Sequence, residues 1–173
     1  MSPRRIPVWL LTGYLGSGKT TLLQQWLRDP ALADAALVVN EIGEVGFDDR
    51  QLASAVDSTR LLSNSCICCS GLPGLEEALT ELWWNRLQRR RPAFSSVVIE
   101  TTGLADPRPI IAAFDTTPFL RERYQLAAVL ACASAPAGAA LLAAQAEARA
   151  QIEAADAVIL TKTDQAPPET LQA

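Results

Sequence analysis

Residues 13–20 read Gly-Tyr-Leu-Gly-Ser-Gly-Lys-Thr, a complete G-x-x-x-x-G-K-[ST] phosphate-binding loop. Such a loop works in one setting only, between a buried strand and the first turn of a helix. Ile6-Pro-Val-Trp-Leu-Leu11 supplies an apolar run that reads as the strand. Thr21-Leu-Leu-Gln-Gln-Trp-Leu-Arg28 supplies leucines and a tryptophan at helical spacing. Gly13, Gly16 and Gly18 let backbone N–H groups converge on phosphate oxygens, and the helix N-terminus adds its positive dipole end. Lys19 is expected to reach the β- and γ-phosphates, and the Thr20 hydroxyl to ligate Mg²⁺.

The rest of the chain alternates apolar runs with helical patterns. Ala36–Val39, Val97–Ile99, Leu126–Cys132 and Ala157–Leu160 read as further buried strands. Leu72–Arg90 reads as an amphipathic helix with Leu75, Ala78, Leu79, Leu82 and Trp83 on one side. Pro107–Phe114 reads as a short helix started by proline, and Ala139–Ala154 as an alanine-rich one. Repeated strand–helix alternation predicts an α/β fold of the P-loop NTPase class, a mostly parallel sheet with helices on both faces. Ligands then gather at the carboxyl ends of the strands. The chain of 173 residues stops soon after its last predicted strand. Folds of this kind add at least one more strand and helix, so residues 1–173 read as the nucleotide-binding first domain of a longer protein.

Composition removes several classes. A net charge of −4 argues against a nucleic-acid surface, and the one dense basic cluster, Arg86 with Arg89-Arg-Arg91, reads as the solvated end of a helix. There is no histidine, so neither imidazole catalysis nor an imidazole metal site is available in this chain. Tyr124–Ala146 is a stretch of 23 residues without a charge, but Pro136 and Gly138 break it. It reads as a strand, a loop and the start of a helix rather than a membrane span. No signal peptide opens the chain, and a cytoplasmic location is expected.

Two further segments complete a nucleotide site. Val97-Val-Ile-Glu-Thr-Thr-Gly103 has the form of a strand tipped by an acid, with Glu100 placed to hold Mg²⁺ opposite Thr20. Gly103 behind it lets a backbone N–H meet a γ-phosphate. Thr161-Lys-Thr-Asp164 resembles the N-K-x-D guanine motif with threonine in the asparagine position. Asp164 accepts from guanine N1 and its 2-amino group, donors that adenine lacks, and the Lys162 stem packs along base and ribose.

Cys66-Ile-Cys-Cys69 places three thiols within four residues, between turn residues Asn64 and Gly71. Adjacent cysteines form only a strained disulfide, whereas three thiolates suit a soft or borderline cation, above all Zn²⁺. Three sulfurs leave a fourth position open, which suits a metal that is delivered. Cys132 lies in an apolar run and reads as core. Asn40-Glu-Ile-Gly-Glu-Val-Gly-Phe-Asp-Asp49 reads as a metal-facing switch loop, with Glu44 a candidate fourth zinc ligand and Asp48 or Asp49 candidates to approach Mg²⁺. From these residues alone, an ATP-dependent kinase or ATPase with a structural zinc knuckle stays open, as does a non-catalytic metal-buffering module.

Taken in order, Gly13–Thr20, Asn40-Glu-Ile-Gly-Glu-Val-Gly46, Cys66–Cys69, Glu100-Thr-Thr-Gly-Leu-Ala-Asp-Pro107 and Thr161–Asp164 resemble the CobW-like GTPases, the metallochaperone family named for cobalamin synthesis. Its relatives include GTPases that insert nickel into urease and hydrogenase. The resemblance implies slow GTP hydrolysis to GDP coupled to handling Zn²⁺, Co²⁺ or a similar ion for a client metalloprotein. It also implies a C-terminal domain, and it allows a homodimer. Carried over by position, Cys66, Cys68, Cys69 and Glu44 would bind the transferred metal. Gly16, Ser17, Gly18, Lys19, Thr20 and Thr21, with Glu100, would handle phosphate and Mg²⁺, and Lys162 with Asp164 would read guanine. The sequence departs from the family pattern at Ser65, where glycine is common before the first cysteine. It departs again at Val39, where an acid is common, and at Ser134, where the pattern is Val-Asp-Ala.

Overall fold

Alternation along the first strand builds both halves of the core. In the computed structural model, which describes residues 5–32, 34–41, 66–90 and 93–168, β1 runs over Ile6–Thr12. Ile6, Val8 and Leu10 enter one apolar cluster, and Trp9 and Leu11 enter another across the sheet. The same period divides β2 (Ala36–Glu41), with Ala36 and Val38 on one face and Leu37 and Val39 on the other. It divides β4 (Val97–Thr101) likewise, with Val97 and Ile99 opposed to Val98.

Among the described residues, six strands form one sheet in the order β3-β2-β4-β1-β5-β6, with β3 at Cys66–Ser70, β5 at Tyr124–Ser134 and β6 at Ala157–Thr161. Every pairing among these six is parallel. Helix α1 (Lys19–Trp26) covers the face of Leu11 and Val98, contributing Leu23 to that cluster. Helices α2 (Gly71–Leu87), α3 (Arg108–Thr116) and α4 (Pro118–Arg123) cover the other face. Leu75, Leu79 and Leu82 of α2, Phe114 of α3 and Leu120 of α4 are all buried there. Two short helices, α5 (Gly138–Ala144) and α6 (Ala146–Glu153), connect β5 to β6. No helix among the described residues is long and apolar enough to cross a membrane.

The expected α/β architecture is therefore present, with two differences from the sequence reading. Cys66–Ser70, read as turn-flanked, pairs as a parallel strand along β2. The alanine-rich helix is two helices, because Gln145 turns extended at φ −117 and ψ 119, while the Arg149 guanidinium donates to the Leu142 and Ala143 carbonyls at 2.7 and 3.3 Å. Trp83, read on the apolar side of its helix, does pack there, edge-on against Tyr124 at a centroid distance of 6.3 Å, while its neighbour Trp84 is exposed.

Strand order fixes where a ligand fits. From β1 the chain crosses to β2 on one side, and from β4 it crosses over β1 to β5 on the other. The crossovers diverge at the β1–β4 pair, and the crevice at the carboxyl ends there is the topological switch point.

Candidate nucleotide-binding site

The loop leaving β1 is held open by glycines for distinct reasons. Gly13 has φ +142, and a Cβ there would lie 2.5 Å from the Cys132 carbonyl oxygen and 2.7 Å from Ser17 Oγ. Only glycine lets the loop pass this close to β5. Gly16 and Gly18 adopt left-handed φ of +71° and +89°, and Gly18 is the N-cap of α1. The Ser17 amide donates to the Tyr14 carbonyl at 3.0 Å, closing the turn.

Lys19, 8% exposed, folds back over the loop and donates from Nζ to the Gly13 carbonyl at 2.7 Å and the Tyr14 carbonyl at 3.3 Å. At the second residue of α1, the Thr20 hydroxyl donates to Glu100 Oε1 at 2.9 Å, while Thr21 is exposed. Glu100 is 4% exposed and pairs in register with Leu11, so the tip of β4 stands beside the root of the loop. A hydroxyl and a carboxylate meeting at the loop mouth are the hard oxygen donors that suit Mg²⁺. Beneath them, burial pushes the Cys132 thiol up to about 11; Lys19 opposes this and Glu100 adds to it. Cys132 is thus core, as its apolar surroundings imply, and the hydroxyls of Thr101 and Thr12 bond at 2.9 Å alongside.

After β4 the chain passes directly against the loop. A Cβ on Gly103 would lie 2.6 Å from the Leu15 amide nitrogen and 2.8 Å from its Cα. This turn is fixed by the Ala105 amide on the Thr102 carbonyl at 3.2 Å. It is also fixed from outside by Gln151 of α6, whose amide donates to the Gly103 and Ala105 carbonyls at 3.1 and 3.0 Å. Further on, the exposed Arg108 guanidinium pairs with Asp106 at 2.7 Å and holds that carboxyl below the usual range. Gln151 is absent from the sequence reading; its signal is a polar residue three positions after Ala148 on the buried stripe of α6.

The segment resembling a base-reading motif is tied to the same loop. Thr161 Oγ1 donates to the Ser17 carbonyl at 2.6 Å, with a longer contact of 3.3 Å to the Ala133 carbonyl. The threonine that departs from the motif thus joins the end of β6 to the phosphate loop. Lys162 follows in a left-handed conformation at φ 53, and Asp164 lies in the exposed 3₁₀ turn Thr163–Gln165.

The cysteine backbone lies on the edge strand, with Cys66 opposite Leu37, Cys68 opposite Val39 and Cys69 opposite Asn40. Val39 is in turn opposite Glu100, so the Cys68 backbone is two strands, roughly 10 Å, from that of Glu100. The side chains of Cys66, Cys68 and Cys69 lie outside the described residues, as do Glu44, Asp48 and Asp49 entirely.

A glycine loop between β1 and α1, an acid on the adjacent strand and a wholly parallel sheet define a P-loop nucleoside-triphosphate-binding fold. The chain belongs to the CobW/HypB/UreG family, whose nucleotide-binding domain matches residues 7–173. The zinc chaperone YjiA of Escherichia coli strain K12 is 42% identical over 159 residues, covering 92% of this chain and 50% of that protein. The zinc-regulated GTPase metalloprotein activator 1 of Schizosaccharomyces pombe is 32% identical over 170 residues, covering 92% of this chain and 39% of its own length. The crystal structure of Zn(II)-bound YjiA GTPase from E. coli superposes with a TM-score of 0.71 at 38% identity, covering 98% of this chain and 54% of that one. The chain therefore spans half or less of the length of these two relatives.

Proposed function

We propose that the protein binds and hydrolyses GTP and couples the nucleotide state to keeping or releasing a transition-metal ion, with Zn²⁺ as the cargo. The observation that carries this reading is the 2.9 Å bond from Thr20 to Glu100, which closes the phosphate loop and the acid-tipped strand into one site. The loop amides from Gly13 to Thr21 and the Lys19 ammonium bind the phosphates. Thr20 and Glu100 would hold Mg²⁺, which would supply positive charge against the phosphates. The Gly103 amide faces the γ-phosphate. Lys162 and Asp164 select guanine, and the Thr161 hydroxyl on the Ser17 carbonyl supports this by keeping base and phosphate sites in fixed relation.

Cys66, Cys68 and Cys69, with Glu44, bind the cargo; the names of the zinc-handling relatives support zinc over cobalt. The ion is then passed to a client metalloprotein. The polypeptide between β2 and β3 links the two sites in sequence, since β2 pairs with the Glu100 strand on one side and the cysteine strand on the other. A loop ordered by the γ-phosphate would then change the cysteine geometry between GTP and GDP states.

Linkage makes the coupling testable, because if GTP tightens Zn²⁺ binding, Zn²⁺ must tighten GTP binding by the same factor. Calorimetry of each ligand with and without the other is expected to give equal factors in both directions. Four unchanged affinities would remove the switch, and ATP competing as well as GTP would remove the guanine assignment.

A further inference from the structure

Gln151 is 1% exposed, yet it projects from α6 onto a loop of a different crossover. Both carbonyls it meets, those of Gly103 and Ala105, are acceptors, so the side chain must present its nitrogen to them; the flipped amide would set three oxygens together. Its two donor hydrogens are thereby spent on one turn. The element carrying it is itself bolted down. Just beyond α6, the Asp156 amide donates to the Val129 carbonyl at 2.8 Å, and its carboxylate accepts from the Val129 amide at 2.7 Å. The chain then runs straight into β6 and the base-reading turn.

Gln151 also reaches toward the phosphate loop. With Gly13, Ser17 and Cys132 it lines a cavity of about 20 Å³. Ser17 Oγ and Gln151 Oε1, both buried, have no hydrogen-bond partner among the described residues. That volume is enough for one water, and both residues belong to its wall. The amide therefore stands between the phosphate loop and the turn that carries Gly103.

We infer that Gln151 is a positioning residue for the γ-phosphate: its amide clamps the Gly103–Ala105 turn so that the Gly103 N–H stays at the phosphate loop. This rests on the GTPase reading and deepens it. A γ-phosphate needs both the loop and the turn, whereas GDP needs the loop alone. A residue that only satisfied two buried carbonyls would affect stability but not the choice between the nucleotides.

The test uses the full chain with Gln151→Met, which keeps length and removes the donors, and Gln151→Glu, which keeps shape and sets a carboxylate against the carbonyls. Affinities for GDP and for a non-hydrolysable GTP analogue are measured by calorimetry, alongside the melting temperature with GDP. In both variants the analogue is expected to weaken tenfold or more while GDP stays within threefold. An equal loss for both nucleotides, an unchanged or tightened analogue, or a lowered melting temperature without altered discrimination would overturn the clamp. A wild-type chain that binds neither nucleotide overturns the GTPase reading itself, and the clamp with it.

Discussion

Gly103→Ala asks whether contact between the post-β4 turn and the phosphate loop sets the response to the γ-phosphate. The added methyl would stand 2.6 Å from the Leu15 nitrogen and 2.8 Å from its Cα. Both are backbone atoms, so no rotamer change relieves the clash. Ordinary contact begins near 3.4 Å, so one partner must move by about 0.8 Å. The phosphate loop is the better anchored partner, with Gly13 against the Cys132 backbone and the Ser17 carbonyl held by Thr161. The turn therefore gives way, taking the Gly103 amide with it. Overpacking of this kind costs about 1–3 kcal/mol, a factor of roughly 5 to 150 in an equilibrium constant. A displacement approaching 1 Å in a group that must meet the transferred phosphoryl costs up to about 100-fold in rate. We expect kcat/KM for GTP to fall by about 10- to 100-fold with GDP affinity within about threefold, read by phosphate release and by titration with a fluorescent GDP. Gly16→Ala is the control, because its Cβ would meet nothing within 4 Å but its φ is +71°. Its left-handed strain of about 1–2 kcal/mol falls on the loop itself and should weaken GTP and GDP alike. A Gly103→Ala protein with normal kcat/KM, or one that loses GDP as strongly as GTP, would refute the reasoning.

Thr161→Val keeps the side-chain shape but removes the donor to the Ser17 carbonyl, a bond worth about 1 kcal/mol net; GTP and GDP should both weaken by roughly fivefold, and a change in only one would contradict a joint serving the whole nucleotide. Stability should decline in alkali, because burial raises the Cys132 thiol from 9.0 to about 11. Below pH 9 the thiol is protonated in both states; between pH 9 and 11 the unfolded chain loses its proton first, so unfolding becomes easier by roughly 2–3 kcal/mol. Tyr124, also raised by burial, acts in the same direction. Urea midpoints from pH 8 to 10.5 should fall less steeply in Cys132→Ala than in the wild type, and parallel curves would show that the thiol is not the source.

What could be read from the chain follows from how local each feature is. The phosphate loop is contiguous, and β1, β2, β4 and β5 are apolar runs buried largely by their own composition. Strand β3 carries Cys-Ile-Cys-Cys-Ser between turn residues, and it is a strand because β2 pairs with it. The break between α5 and α6 contains neither proline nor glycine; it is stabilised by Arg149 capping the carbonyls that Gln145 leaves open. Within the site, the Thr20–Glu100 pair could be anticipated because both residues belong to recognisable motifs. The Gln151–Gly103 and Thr161–Ser17 bonds could not, since they join residues 48 and 144 positions apart. Asparagine replaced by Thr161 reads in one dimension as a weakened motif. In three dimensions the hydroxyl ties the motif to the phosphate loop.

Val39 shows how a single departure constrains the coupling. It lies between Cys68 and Glu100 in the register of the sheet and is 7% exposed. An acid there would place a second carboxylate beside Glu100 in a nearly dry site, where each would resist ionisation of the other unless a cation stood between them. Under the proposed coupling, such an acid would lie between the cargo cysteines and Glu100. Valine separates them by an apolar residue, and Glu100 is the sole acid in its row of described residues. Under the proposed coupling, communication between nucleotide and cargo would run through the backbone of β2, which pairs with both the Glu100 strand and the cysteine strand. Displacement of a strand that pairs on both sides is opposed by both ladders.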